Sequence, residues 1–365
     1  MIIRSIELTD YRNYDHLELS FDRGTNIFYG DNAQGKTNIL EAIYIAATTK
    51  SHKGSRDSEI IRFGQEEAHI RTVVETDGIP TRVDMHLRSS KTKGIAIDGT
   101  RIKKAAELMG LCKVVFFSPE DLNIVKNGPS YRRRFIDMEL CQLDQFYLYN
   151  LNNYNKILNR RNQVLKDMYH DRGLEDSLSV WDDQLISYGT KIIERRKKFS
   201  EELEEQIKGV HSKLSGGRED ISIVYEPSVK EEDFEECLKA SRARDMKSKA
   251  TAIGPHRDDF AFMNGDIDIR KYGSQGQQRT AALSLKLSEI DMMKKLSGDN
   301  PVLLLDDVLS ELDRKRQGFL LDSIGDIQTF ITCTGIDDFV NDRFVINRVF
   351  YVESGTVKQM SDTEE

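Results

Sequence analysis

The stretch that most constrains this chain is Gly30-Asp31-Asn32-Ala33-Gln34-Gly35-Lys36-Thr37, a complete G-x-x-x-x-G-K-[ST] phosphate loop. Its flanks are the ones the motif needs. Thr25-Asn26-Ile27-Phe28-Tyr29 is apolar and β-prone, and Asn38 to Ala46 has helical composition and apolar period. The glycines let successive backbone N–H groups face one anion, and the helix that follows presents its positive end to it. Gly30, Asn32, Gly35, Lys36, Thr37 and Asn38 are therefore the candidate nucleotide contacts. Lys36 would bridge the β- and γ-phosphates of ATP, and the Thr37 hydroxyl would ligate Mg²⁺.

A phosphate loop requires a second strand ending in carboxylates, and Val302-Leu303-Leu304-Leu305-Asp306-Asp307 supplies it as a Walker B pattern. In a parallel sheet the carboxyl ends of such strands share one edge, where ligands bind. Asp306 is expected in the Mg²⁺ shell, through water, and Asp307 as the group that orients or deprotonates the attacking water. Lys36 and Asp307 are thus the candidate catalytic pair. A third motif, Ser274-Gln275-Gly276-Gln277, lies at a helix start upstream of this strand and matches the ABC signature sequence. The Ser274 hydroxyl and the amides near Gly276 and Gln277 can hold a γ-phosphate. Within one subunit this loop would lie far from its own phosphate loop, so the phosphate it binds is expected to belong to a second copy. Ser310-Glu311-Leu312-Asp313 then follows in the place of a D-loop.

The rest of the 365 residues reads as α/β with an insertion. Alternating runs at Ile2 to Leu8 and Leu17 to Phe21, and paired runs around Asp77-Gly78 and before Asp98-Gly99, predict an antiparallel meander. From Ser130 to about His170, and again from Ser177 to about Leu214, apolar residues recur at helical spacing on a charged background. The second helix would run roughly 55 Å if unbroken, which predicts an arm and not a compact lobe. The expected domains are an ATPase head over residues 1–117 and 246–365, interrupted by a helical arm over 118–245. The tail Ser361 to Glu365 is acidic and expected to be disordered.

Charged residues make up 31% of the chain, mean hydropathy is −0.53, and no apolar run approaches the roughly eighteen residues of a membrane span. The start lacks the apolar core of a signal peptide, and the four cysteines have neither metal nor redox spacing. A soluble, cytoplasmic, nucleoid-associated protein without a membrane partner is expected. The net charge of −8 excludes a generally basic nucleic-acid binder and leaves local patches as candidates. These are Arg132-Arg133-Arg134, Arg160-Arg161, Arg195-Arg196-Lys197-Lys198 and Arg242 to Lys249. Arg134 and Asp137 also have the spacing of a helical pair.

The order of motifs resembles the SMC-like branch of the ABC ATPases, and within it the RecF family of bacterial recombination mediators. The resemblance is carried by Tyr11-Arg12-Asn13-Tyr14, the phosphate loop with Thr37 to Ala42, Phe116 to Leu122, Arg132 to Asp137, Gly254-Pro255-His256-Arg257-Asp258-Asp259, Gly273 to Arg279 and Leu304 to Asp313. It implies an SMC-like P-loop head with a RecA-like core, a β meander and an inserted helical lobe. It also implies an ATP-dependent homodimer that binds double-stranded DNA at gaps or junctions and works with RecR and RecO to load RecA. By the same resemblance Arg12 is a candidate nucleotide contact. Three departures stand out: Ser118 to Glu120 replaces the Q-loop glutamine, Cys333-Thr334-Gly335 replaces the switch histidine, and Asp307 replaces the usual glutamate. They suit a weak ATPase acting as a slow switch better than a transporter subunit. The absence of C-x-x-C and the short arm argue against a zinc-hook nuclease subunit, and the signature loop argues against a nucleotide kinase.

Overall fold

The computed structural model describes residues 1–168, 175–335 and 346–360. The acidic tail, the end of the first expected helix at His170 and the first residue of the last expected strand run, Val345, lie outside them. The chain opens with β1 (Ile2–Tyr11), β2 (Tyr14–Ser20) and β3 (Thr25–Tyr29), then α1 (Lys36–Thr48) and α2 (Asp57–Ile60). It continues through β4 (Glu67–Thr76), β5 (Ile79–Arg88), β6 (Gly94–Ile97), β7 (Thr100–Arg101) and β8 (Val114–Phe117). The middle contains α3 (Leu122–Lys126), α4 (Pro129–Leu143), α5 (Gln145–Asp167), α6 (Glu175–Ser215), β9 (Ile221–Glu226), α7 (Phe234–Ser248), β10 (Asp259–Asn264), β11 (Ile267–Asp268), α8 (Ile269–Tyr272) and α9 (Gln275–Ser297). The chain closes with β12 (Val302–Asp306), α10 (Val308–Glu311), α11 (Arg314–Ile324), β13 (Thr329–Cys333), β14 (Ile346–Glu353) and β15 (Thr356–Met360).

Two compact units result: Met1–Asp121 with Glu289–Glu365, and Leu122–Ser288. The first contains two sheets. One is antiparallel in the order β2-β1-β4-β5-β6-β7, and its β4–β5 hairpin turns at Asp77 and Gly78, both at positive φ, as the D-G signal requires. The other, β15-β14-β3-β13-β12-β8, is parallel except for β15. Its β12 is buried at every residue, which is why Val302 to Leu305 reads as an unbroken apolar run. Phe21, Phe28, Phe330 and Phe350 form an aromatic core with centroid spacings of 4.8 to 6.3 Å.

Residues 122–288 form a compact unit with its own core, in which the apolar stripe of α6 packs along α5, α7 and β9. Leu185, Ile192, Phe199, Leu203 and Ile207 on that stripe are all buried. The first unit resumes at Glu289. Six register pairs join β10 to β9, from Asp259↔Glu226 to Asn264↔Ile221, so the segment after 246 is tied by its backbone to the inserted lobe. No helix among the described residues is long and apolar enough to cross a membrane.

Candidate nucleotide site

Parallel pairing places the motif residues. Asp306 on β12 is the register partner of Thr332 on β13, and Cys333 is the partner of Tyr29, the residue that enters the phosphate loop. The carboxyl ends of three strands therefore bring together side chains from Lys36 to Thr332. Thr37 Oγ1 donates to Asp306 Oδ1 at 2.7 Å, and Thr332 Oγ1 donates to the same oxygen at 2.8 Å. Burial raises the Asp306 carboxyl above its ordinary value, against these two hydrogen bonds. Asp307 sits at φ 53°, its N–H donates to Thr332 Oγ1, and its carbonyl and carboxylate accept from Ser310 Oγ.

Lys36 is buried and donates through Nζ to the carbonyls of Gly30 (2.6 Å) and Asp31 (2.7 Å). Burial lowers its pKa, and Asp307 offers the largest electrostatic support to its charge, ahead of Cys333, Asp306 and Asp31. Gly30 has φ 143°, and a Cβ there would stand 2.3 Å from the Val352 carbonyl oxygen. Gly35, at φ 117°, caps α1 without a side-chain bond, and a Cβ would meet Asn13 and Tyr14 at 2.6 Å. Both positions therefore demand glycine. The expected loop residues Gly30, Asn32, Gly35, Lys36, Thr37 and Asn38 are thus contiguous around the start of α1.

The loop is also clasped from two sides that sequence reasoning did not assign. From the β1–β2 turn, Asn13 Nδ2 donates to Gln34 O and Tyr14 Oη to Gly35 O, while Asn38 Nδ2 donates to Asn13 Oδ1. From the β14–β15 turn, Ser354 N–H donates to Gln34 Oε1 at 2.6 Å and Gly355 N–H to Gln34 O at 3.3 Å. The first falls in the Tyr11-Arg12-Asn13-Tyr14 stretch that carries the resemblance, without a role assigned there to Asn13 or Tyr14; the second has no sequence signal.

Arg12, at φ 54°, has its guanidinium committed elsewhere. Nε and Nη2 make a bidentate pair with Glu41 at 2.9 Å each, and Nη2 and Nη1 also donate to Ser55 Oγ and Glu59 O. Burial opposes the Glu41 charge, but the bonds from Arg12 and from Ser51 hold its carboxyl below the ordinary glutamate value.

The signature residues belong to the second unit. Ser274 Oγ accepts from Gln277 N–H at 3.2 Å while Ser274 N–H donates to Gln277 Oε1 at 2.8 Å, a reciprocal cap on α9. Ser274 and Gly276 are exposed, and a Cβ at Gly276 would crowd nothing.

Three of the four basic clusters turn one arginine inward, while Arg134, Arg160, Lys197, Lys198, Arg244, Lys247 and Lys249 remain exposed. Arg132 forks onto Asp259, Arg161 lies between Asp182 and Asp245, and Arg196 joins Asp137 and Asp258, each arginine almost fully buried. Arg242 pairs with Asp182 and Arg195 with Asp144. Runs of neighbouring basic residues marked these stretches as candidate patches, whereas Arg132, Arg161 and Arg196 within them face the lobe's interior.

The model of the family described as RecF/RecN/SMC N terminal domain matches residues 2–358. The DNA replication and repair protein RecF of Agathobacter rectalis is 59% identical over 362 residues, covering 99% of this chain and all of that one. The chain belongs to the RecF family. A second RecF, from Lachnoclostridium phytofermentans, is 58% identical over 359 residues, covering 98% of this chain and all of its own. Among solved structures, the recombination mediator protein RecF with ATP, in the RecFOR pathway, is 35% identical with a TM-score of 0.92, covering 98% of this chain and 97% of that one. An SMC head bound to the C-winged helix domain of ScpA is 16% identical, with a TM-score of 0.58 over 100% of this chain and 98% of its own, and shares the fold. The RecF-family head is thus the SMC-like ABC ATPase fold expected from the motifs, in a family of DNA replication and repair proteins.

Proposed function

We propose that this chain is an ATP-switched DNA-binding protein of recombinational repair, in which ATP joins two copies and the dimer holds duplex beside a gap or junction. The observation that carries this reading is the meeting of Lys36, Thr37 and Asp306 at one strand edge, with Thr37 and Asp306 2.7 Å apart across 269 positions of sequence. A hydroxyl and a carboxylate oxygen side by side suit Mg²⁺, which takes hard oxygen ligands and retains water. Thr37 would bind it directly and Asp306 through water; when bound, the ion would neutralise charge on the transferred phosphoryl group.

Lys36 would turn its ammonium from the Gly30 and Asp31 carbonyls to the β- and γ-phosphates. Asp307 would take the proton of the water that attacks the γ-phosphorus; the bond to the bridging oxygen breaks, and ADP and phosphate leave. With a short carboxylate and neither a Q-loop glutamine nor a switch histidine, hydrolysis would be slow and would time release. Arg12 would reach nucleotide only by exchanging its bonds to Glu41. The exposed Ser274 and Gly276, with half-buried Gln277, at the amide-rich start of α9 fit the γ-phosphate of a second copy. RecFOR in the name of the related structures supports RecR and RecO as partners, upstream of RecA loading.

Retention on gapped DNA with and without ATP, at two salt concentrations, tests the switch. Lys36→Met should lose the ATP-dependent part of retention; retention equal to wild type would contradict the proposal.

A further inference from the structure

The solvent face of the antiparallel sheet carries a cluster that the nucleotide site does not use. His69 on β4 and His86 on β5 are register partners, so their side chains stand on one face, and their rings stack with centroids 4.1 Å apart. Glu67 precedes His69 by two residues and shares that face. One donor atom from each of Glu67, His69 and His86 lies within 4.8 Å of the other two. All but Glu67 line a depression of 410 Å³ on the sheet.

We propose that Glu67, His69 and His86 form a binding site for a borderline divalent transition-metal ion, zinc above all, with one coordination position left to water. Two imidazoles and a carboxylate are a zinc donor set. Two ligands of a tetrahedral ion with bonds of about 2.1 Å lie about 3.4 Å apart, so the donors furthest apart must close by up to about 1.4 Å, Glu67 and His86 Nε2, now 2.6 Å apart, must open, and the rings must turn out of their stack. Room exists for that turn. The neighbour of His86 on its other side is Gly94 of β6, which carries no side chain.

Charge around the cluster is nearly balanced without an ion. Arg71 is committed to Glu7 and Asp84. Arg88 fills the remaining role: its Nε lies 3.6 Å from Glu67 Oε1, and its Nη2 lies 2.9 Å from His86 Nδ1. A guanidinium can only donate, so Nδ1 accepts and the Nε2 hydrogen goes to Glu67 at 2.6 Å. Arg88 Nε itself is buried and has no hydrogen-bond partner among the described residues. The arginine is therefore an imperfect stand-in for a cation and the ion's competitor. A metal on His86 Nε2 would put the ring hydrogen on Nδ1 and displace Arg88.

The test is a titration of the full-length, chelator-stripped protein with Zn²⁺ against a chromophoric competitor, repeated with Co²⁺ for its visible spectrum. One ion per chain should bind. His86→Asn and Glu67→Gln should each weaken it at least about tenfold, and Arg88→Met should strengthen it by roughly the same factor. All three substitutions are on the solvent face, and unchanged thermal melts of the metal-free variants will show that folding is intact. The proposal is overturned if neither wild type nor Arg88→Met binds zinc. It is equally overturned if His86→Asn binds as tightly as wild type, or if the cobalt spectrum carries thiolate bands from the cysteines.

Discussion

Replacing Arg196 by methionine separates a structural from a DNA-contacting role for the Arg195-Arg196-Lys197-Lys198 run. Arg196 is 2% exposed and donates to Asp258 Oδ2 (3.0 Å), Pro255 O (2.6 Å), Asp137 Oδ1 (2.8 Å) and Tyr147 Oη (3.0 Å). Methionine keeps much of the volume but leaves the carboxylate of Asp258, which is fully buried, with only the Tyr225 hydroxyl and the Ser228 N–H among the described residues. Removing one partner of such a pair costs about 3–5 kcal/mol, because the other charge stays behind without compensation. With a urea slope of about 2 kcal/mol/M, the midpoint should fall by about 2 M. Trp181 is the only tryptophan and lies on α6 in the same unit, so its fluorescence reports on this lobe without signal from the head. A midpoint shift below about 0.5 M, together with lost DNA retention and a salt slope reduced by about one, would refute the structural role and return Arg196 to the surface.

At Gly30, alanine would meet the Val352 carbonyl at 2.3 Å in a backbone conformation that L residues avoid; ATP affinity should fall at least about tenfold, about 1.4 kcal/mol, in a fluorescent-nucleotide titration. Gly265 also has positive φ but nothing nearby, so Gly265→Asn should leave that affinity unchanged. His256 Nε2 donates to Thr251 O and Nδ1 accepts from Tyr154 Oη, and burial depresses its pKa to about 4. Because the unfolded chain takes up this proton first, near the ordinary value of about 6.5, stability is full above that pH and is lost as pH falls towards 4, by up to about 3 kcal/mol. Denaturation midpoints of His256→Gln should fall less steeply than wild type over that window, and parallel curves would contradict the assignment.

Much of the site was legible because phosphate chemistry leaves local marks. The glycines at 30 and 35, Lys36, Thr37 and the apolar strand before Asp306 are each fixed by backbone geometry within a few residues. What was hidden depends on neighbours distant in sequence. Thr332 joins the site only through the β12–β13 register, and Ser354 and Gly355 join it only because β14 lies beside β3. The same limit explains the basic clusters: the carboxylates that absorb Arg132, Arg161 and Arg196 lie between 21 and 127 residues away. The length of α6 was readable from its period, whereas its packing against α5 and α7 was not.

The claim on which the functional account rests is that ATP is shared between copies through the Ser274 loop. Mass measurement by light scattering, with and without ATP and Mg²⁺, should show wild type passing from monomer to dimer. Ser274→Arg, at an exposed position, should bind ATP as before and remain a monomer. A variant that dimerises with ATP as wild type does would contradict the account.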